Sequence, residues 1–139
     1  YEGAETAAAA PGVIEAVEGA DLVVIAPSNP PLSIWPILAV PGIREAVASA
    51  RVAAVSPLFG GRALKGPADR VMASLGLSPG NAGVLEAYDG LLDLLVVDES
   101  DAADAALSTE STRVMAVDTR ITEPEAAARL ATWLLEEAA

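Results

Sequence analysis

The chain has 139 residues, 53% hydrophobic but only 4% aromatic, with a mean hydropathy of +0.42, which suits one compact domain with an aliphatic core rather than a disordered or fibrous segment. Eight Lys and Arg against 20 Asp and Glu leave a net charge of -12, which argues against a nucleic-acid binder, and no apolar run approaches the about 18 residues of a membrane span. Cysteine and histidine are both missing, so disulfides, thiolate metal sites and histidine triads are excluded, and any chemistry must rest on positioning, charge stabilisation and an oxygen-bound cation of the magnesium type.

The chain opens on Tyr1 rather than methionine, and residues 1–10 are small, acidic and aperiodic, unlike the basic start and apolar centre of a signal peptide. The expectation is a cytoplasmic segment cut from a longer polypeptide. Pro11 and Gly12 open a short helix through Glu18, and the apolar run 21–26 follows as a strand. Pro41 opens a helix through Ser49, before a second strand at 51–56. Pro67 opens a third helix through Leu75, because a proline in a first turn gives up an N–H that had no partner there. Residues 81–88 and 101–107 are weaker helical patterns, on either side of a strand at 93–98. A last strand at 113–118 leads into an amphipathic helix from Glu123 to near Glu137, whose Leu130, Trp133 and Leu134 belong to the core. Met72 and Met115 are packing residues.

Strands of four to six Val, Leu and Ile residues alternating with helices predict an α/β fold, a doubly wound, mostly parallel sheet with helices on both faces. In such a sheet ligands bind beyond the carboxyl ends of the strands. Those ends carry polar residues here. The first, Pro27-Ser28-Asn29-Pro30-Pro31-Leu32-Ser33-Ile34-Trp35-Pro36, holds four prolines besides two serines and an asparagine, so its donors are presented on a stiffened backbone. An ordinary stiff connection with capping side chains accounts for the same residues equally well. The second, Ser56-Pro57-Leu58-Phe59-Gly60-Gly61-Arg62-Ala63-Leu64-Lys65-Gly66-Pro67, pairs glycines that let backbone amides approach a ligand with a lysine and a helix start, a plausible phosphate cradle. It lacks the Gly-Lys-Ser/Thr order of a Walker motif, and a solvated loop is the competing account. Five of the eight basic residues, Arg44, Arg51, Arg62, Lys65 and Arg70, fall in this central stretch, so a small anion can bind an otherwise acidic chain. Asp98, Glu99 and Asp118 stand at strand ends, where they would either hold a metal or a ribose hydroxyl or, more often, cap the next turn; Asp101 and Asp104 look like a solvated face.

Taken together, Ala26-Pro27-Ser28-Asn29-Pro30, Ser33-Ile34 with Pro36-Ile37-Leu38, Pro41-Gly42-Ile43-Arg44-Glu45-Ala46, and Ser56-Pro57 with Gly60-Gly61 and Lys65-Gly66-Pro67 resemble the 2-phospho-L-lactate transferase (CofD/FbiA) family of coenzyme F420 biosynthesis, from about Ala20 to the end. The family usually carries glycine where Trp35 stands and Thr or Val at the place of Leu32. The resemblance implies that residues 1–139 are the C-terminal part of a CofD-like α/β domain, inactive alone, with the nucleotide- and metal-binding N-terminal half outside them. It implies a Mg2+-dependent transfer in which the deazaflavin Fo attacks a guanylylated phosphoenolpyruvate or 2-phospho-L-lactate, GMP leaves and a phosphodiester forms. Ser28, Asn29 and Ser33 would contact phosphate or the transferred acid, and Gly60, Gly61 and Lys65 the nucleotide end, with Pro30, Ser56 and Gly66 completing the binding set. The family also implies a homodimer without nucleic-acid or membrane partners. The competing account is a non-catalytic nucleotide or nucleotide-sugar sensor on a related fold, whose glycine-rich first loop matches Ser28-Asn29-Pro30 less well. A purely structural α/β domain is the third.

Overall fold

A computed structural model describes residues 2–138; Tyr1 and Ala139 lie outside the described residues. In chain order the elements are α1 (Val13–Glu18), β1 (Val23–Ile25), α2 (Trp35–Leu38), α3 (Ile43–Ser49), β2 (Val52–Val55), β3 (Leu58–Phe59), β4 (Arg62–Ala63), α4 (Ala68–Ser74), α5 (Gly80–Tyr88), β5 (Leu94–Asp98), β6 (Arg113–Val117) and α6 (Pro124–Glu137). Four strands form one parallel sheet in the order β1-β2-β5-β6, with Val24 opposite Ala53, Val55 opposite Val96 and Asp98 opposite Val117. The predicted α/β class and all four predicted strands are present.

Every residue of β2 and β5 is buried, as continuous apolar runs between two helical layers require. Alternate side chains serve opposite faces. Ala54, Leu95 and Val97 pack with Val47 of α3, Met72 of α4 and Val84 and Tyr88 of α5, whereas Ala53, Val55, Leu94 and Val96 pack under Leu130 and Leu134 of α6. The asymmetry follows from topology: successive strands are added in one direction, and right-handed crossovers then put every crossover helix on the same face. Of the two helices outside the crossovers, α1 packs Ile14 and Val17 on that same face, and α6 covers the other. Each fully buried Leu or Val contributes about 1.5–3 kcal/mol relative to exposure, so the two clusters hold the sheet rigid beneath the loops at its carboxyl end.

The predicted helices at 41–49 and 11–18 begin two residues late, because Gly42 and Gly12 take left-handed backbone angles (φ 85 and 83) and serve as N-caps, leaving each proline outside the helix. The pattern at 101–107 is not an α-helix. Residues Glu99–Leu107 form a 3-10 helix kinked at Asp101, and the Asp98 side chain caps it by accepting from the Ser100 amide. Between β1 and α3 the proline-rich loop is itself helical, a single π-turn over Pro30–Ile34 running into α2, and β3 and β4 form a small antiparallel hairpin. Among the described residues no helix is long and apolar enough to cross a membrane.

Candidate functional site

Three connections at the carboxyl end of the sheet converge on one cavity. After β1, Asn29 Oδ1 accepts from the Leu32 amide at 3.2 Å and the Asn29 carbonyl from the Ser33 amide at 2.9 Å, so Asn29 starts the turn that Pro30 and Pro31 bury beneath it. Trp35 donates its Nε1–H to the Ala87 carbonyl at 2.7 Å and ties this turn to the end of α5. Asn29 Nδ2 is buried with no hydrogen-bond partner.

After β2, Ser56 is fully buried: its hydroxyl donates to Asn81 Oδ1 at 2.6 Å and accepts from the Leu58 amide at 3.1 Å, while Asn81 Nδ2 donates to Asp104 Oδ2 at 2.8 Å. This chain of bonds fixes the start of the β3–β4 hairpin from below. Gly60 and Gly61 are the two residues between the paired Phe59 and Arg62, and both have positive φ (60 and 73), as both central positions of a two-residue type I′ turn require. The Gly60 amide donates to Ser100 Oγ at 3.0 Å.

After β6, Asp98 Oδ2 lies 3.4 Å from both the amide and the hydroxyl of Thr119, and Asp118 Oδ1 accepts from the Arg120 amide at 3.0 Å. The Arg120 guanidinium lies over the Phe59 ring, 5.6 Å from its centroid. Burial would raise the Asp98 carboxyl, but the hydroxyl and amide of Ser100, the Thr119 amide and the nearby Arg120 charge outweigh it and hold the group below its usual range. Its contribution to stability is therefore complete above the ordinary aspartate value near 3.8 and is lost as pH falls through the lower folded value. Urea unfolding between pH 5 and 2.5 is expected to show stability falling with acid, and Asp98→Asn should flatten that fall; an unchanged slope would remove Asp98 from the account.

The cavity measures about 660 Å3, within the span of small-molecule sites. Pro27, Ser28, Asn29 and Ser33 form one wall, Phe59, Leu64, Lys65 and Gly66 a second, and Thr119, Arg120, Ile121 and Thr122 a third. Of the residues singled out in the sequence, Ser28, Asn29, Ser33, Lys65 and Gly66 come together here. Pro30, Ser56, Gly60 and Gly61 do not line it; the first two are buried supports and the glycines make the hairpin turn. Asp98 and Asp118 cap turns, Glu99 is exposed, and Asp104 is bonded to Asn81 rather than purely solvated. Phe59, Arg120 and Ile121 were missed, although Arg120 follows a strand end by the same rule that selected the other loops.

A second cavity of about 400 Å3 lies at the amino end of the strands, but its two arginines are engaged: Arg51 and Arg113 donate to the Ala138 and Glu137 carbonyls at the end of α6. Among the described residues no three acidic side chains converge as a metal site.

The model of the family "2-phospho-L-lactate transferase CofD" matches residues 1–134. The chain belongs to this family. It is 46% identical over 138 residues to a phosphoenolpyruvate transferase of Streptomyces griseus, covering 96% of this chain and 43% of the relative. It is 40% identical over 130 residues to a 2-phospho-L-lactate transferase of Methanosarcina barkeri, with 93% and 42% covered, and 42% identical over 137 residues to a phosphoenolpyruvate transferase of Mycolicibacterium smegmatis, with 94% and 41% covered. This CofD-family chain thus spans about two fifths of the length of these relatives. Relatives bearing both names match it over nearly its whole length.

Proposed function

We propose that the full-length polypeptide carrying this CofD-family chain is a transferase of coenzyme F420 biosynthesis that joins a guanylylated phosphoenolpyruvate or 2-phospho-L-lactate to the deazaflavin Fo. The observation that carries the proposal is the three-walled cavity: the donor-bearing residues Ser28, Asn29 and Ser33 line the same space as Lys65 and Arg120, beside the apolar Phe59, Leu64 and Ile121. A flat apolar ring system and an anionic phospho-acid both find complementary surface there.

In the proposed reaction the Fo alcohol oxygen attacks the phosphorus that bears the acid. A new P–O bond forms, the bond from that phosphorus to the bridging oxygen breaks, GMP leaves with that oxygen, and the alcohol proton is released. Such an exchange needs no histidine or cysteine, because fixed donors and cations stabilise the phosphoryl charge. Lys65 and the Ser28 and Asn29 donors take that part. The required Mg2+ would be held by residues outside this chain and would offset phosphoryl charge there, so this segment alone is inactive; a cytoplasmic homodimer completes the proposal.

The test is a mass-resolved assay of the full-length protein with Fo, Mg2+ and each guanylylated acid, alongside Ser28→Ala and Asn29→Ala. A phosphodiester product with GMP, reduced at least tenfold in both variants, is expected, and the better donor identifies the acid. Nucleotide binding without product from either donor would instead favour a sensor, and full turnover by this segment alone would overturn its predicted inactivity.

A further inference from the structure

The basic residues of this acidic chain are unevenly committed. Of the eight, Arg44, Arg113 and Arg129 sit in ion pairs and Arg51 donates to the Ala138 carbonyl, which leaves Arg62, Lys65, Arg70 and Arg120. Two of these four, Lys65 and Arg120, line the same cavity, and among the described residues neither side chain makes an ion pair or hydrogen bond.

They are not equivalent cations. Lys65 is a point charge on a flexible stem in the loop before α4, whereas the Arg120 guanidinium is a planar fork held over the Phe59 ring, 5.6 Å from its centroid. Its backbone is fixed as well, with its amide on Asp118 Oδ1 and Thr119 pinned by Asp98. A guanidinium attracted to a ring face keeps N–H groups free for an oxyanion and loses less rotamer entropy on meeting it, which favours a bidentate pair.

Resting on the function proposed above, we infer that Arg120 is the residue that recognises the carboxylate of the three-carbon phospho-acid, while Lys65 takes its phosphate. Phosphoenolpyruvate and 2-phospho-L-lactate share both groups on adjacent carbons, so a site with one fork and one point charge selects phospho-acids over simple phosphate esters. Phe59 is a positioning residue that orients the fork.

The experiment measures binding of phosphoenolpyruvate and of isopropenyl phosphate, which carries a methyl group in place of the carboxylate, to the full-length protein by calorimetry. The wild type is expected to prefer phosphoenolpyruvate by about ten- to a hundredfold, the range of one charge-assisted hydrogen-bonded pair. Arg120→Ala should erase the preference while leaving isopropenyl phosphate binding within about twofold, and Arg120→Lys should restore only part of it. Phe59→Leu should weaken phosphoenolpyruvate selectively, and Lys65→Ala should weaken both ligands. Equal binding of the two ligands by the wild type, binding of neither, or a preference that survives Arg120→Ala overturns the inference. Product formation in the transfer assay is scored separately, so a carboxylate site in a protein that transfers nothing is distinguishable from a transferase whose Arg120 plays no part.

Discussion

Gly83→Ala is expected to destabilise the protein by about 3 kcal/mol or more, because a Cβ there meets the closest contact of any glycine among the described residues. Gly83 lies buried in α5, and a Cβ built there stands 2.0 Å from the Ser78 carbonyl oxygen and 3.0 Å from its carbon. Both are main-chain atoms, so no rotamer change relieves the overlap. The Ser78 segment is poorly placed to yield, because its amide and hydroxyl both donate to the Glu86 carboxylate, at 2.8 and 2.5 Å. Moving it would break those bonds or shift α5, which carries Val84 and Tyr88 of the larger core cluster and Asn81 beneath the second loop. A denaturant midpoint shifted by less than the equivalent of about 1 kcal/mol would mean that this close approach is far softer than the geometry implies. Gly80→Ala serves as the comparison in the same helix, since a Cβ there meets nothing within 4 Å and only its positive φ of 69 is strained.

Lys65→Ala in the full-length protein should lower kcat/KM for the proposed transfer by roughly a hundredfold, the scale of losing one group that stabilises a developing oxyanion. Lys65 is exposed and unpaired among the described residues, so thermal unfolding should be unchanged. Lys65→Arg keeps the charge but changes its shape and should recover part of the rate. Steady-state kinetics with each guanylylated acid, with unfolding followed in parallel, provide the check. A loss below about threefold would place the phosphate elsewhere in the cavity and return Lys65 to the role of a solvated surface cation.

The four strands were legible because short runs rich in Val, Leu, Ile and Ala recur between helical patterns, and β2 and β5, buried along their whole length, carry the plainest of them. Helix starts were legible to within about two residues, since a proline and a following glycine signal a boundary without stating which of them is the cap. The glycine pair at 60–61 shows the limit of such signals. A phosphate cradle and a hairpin turn both require positive φ, and only the pairing of Phe59 with Arg62 decides that these glycines turn a hairpin. Ser56 shows the same for a hydroxyl: at a strand end it reads as a donor to ligand, but Asn81, 25 residues later, consumes it.

By itself, then, the sequence determined the fold class, the strand-end loops that line the cavity and the family, because each rests on local composition or on residues close together in the chain. The third wall of the cavity was decided by tertiary structure alone. Arg120 reaches the cavity because β6 lies beside β5 in parallel and brings it over Phe59, 61 positions earlier in the chain. Register and crossover handedness set that contact, and neither leaves a mark on the residues flanking Arg120.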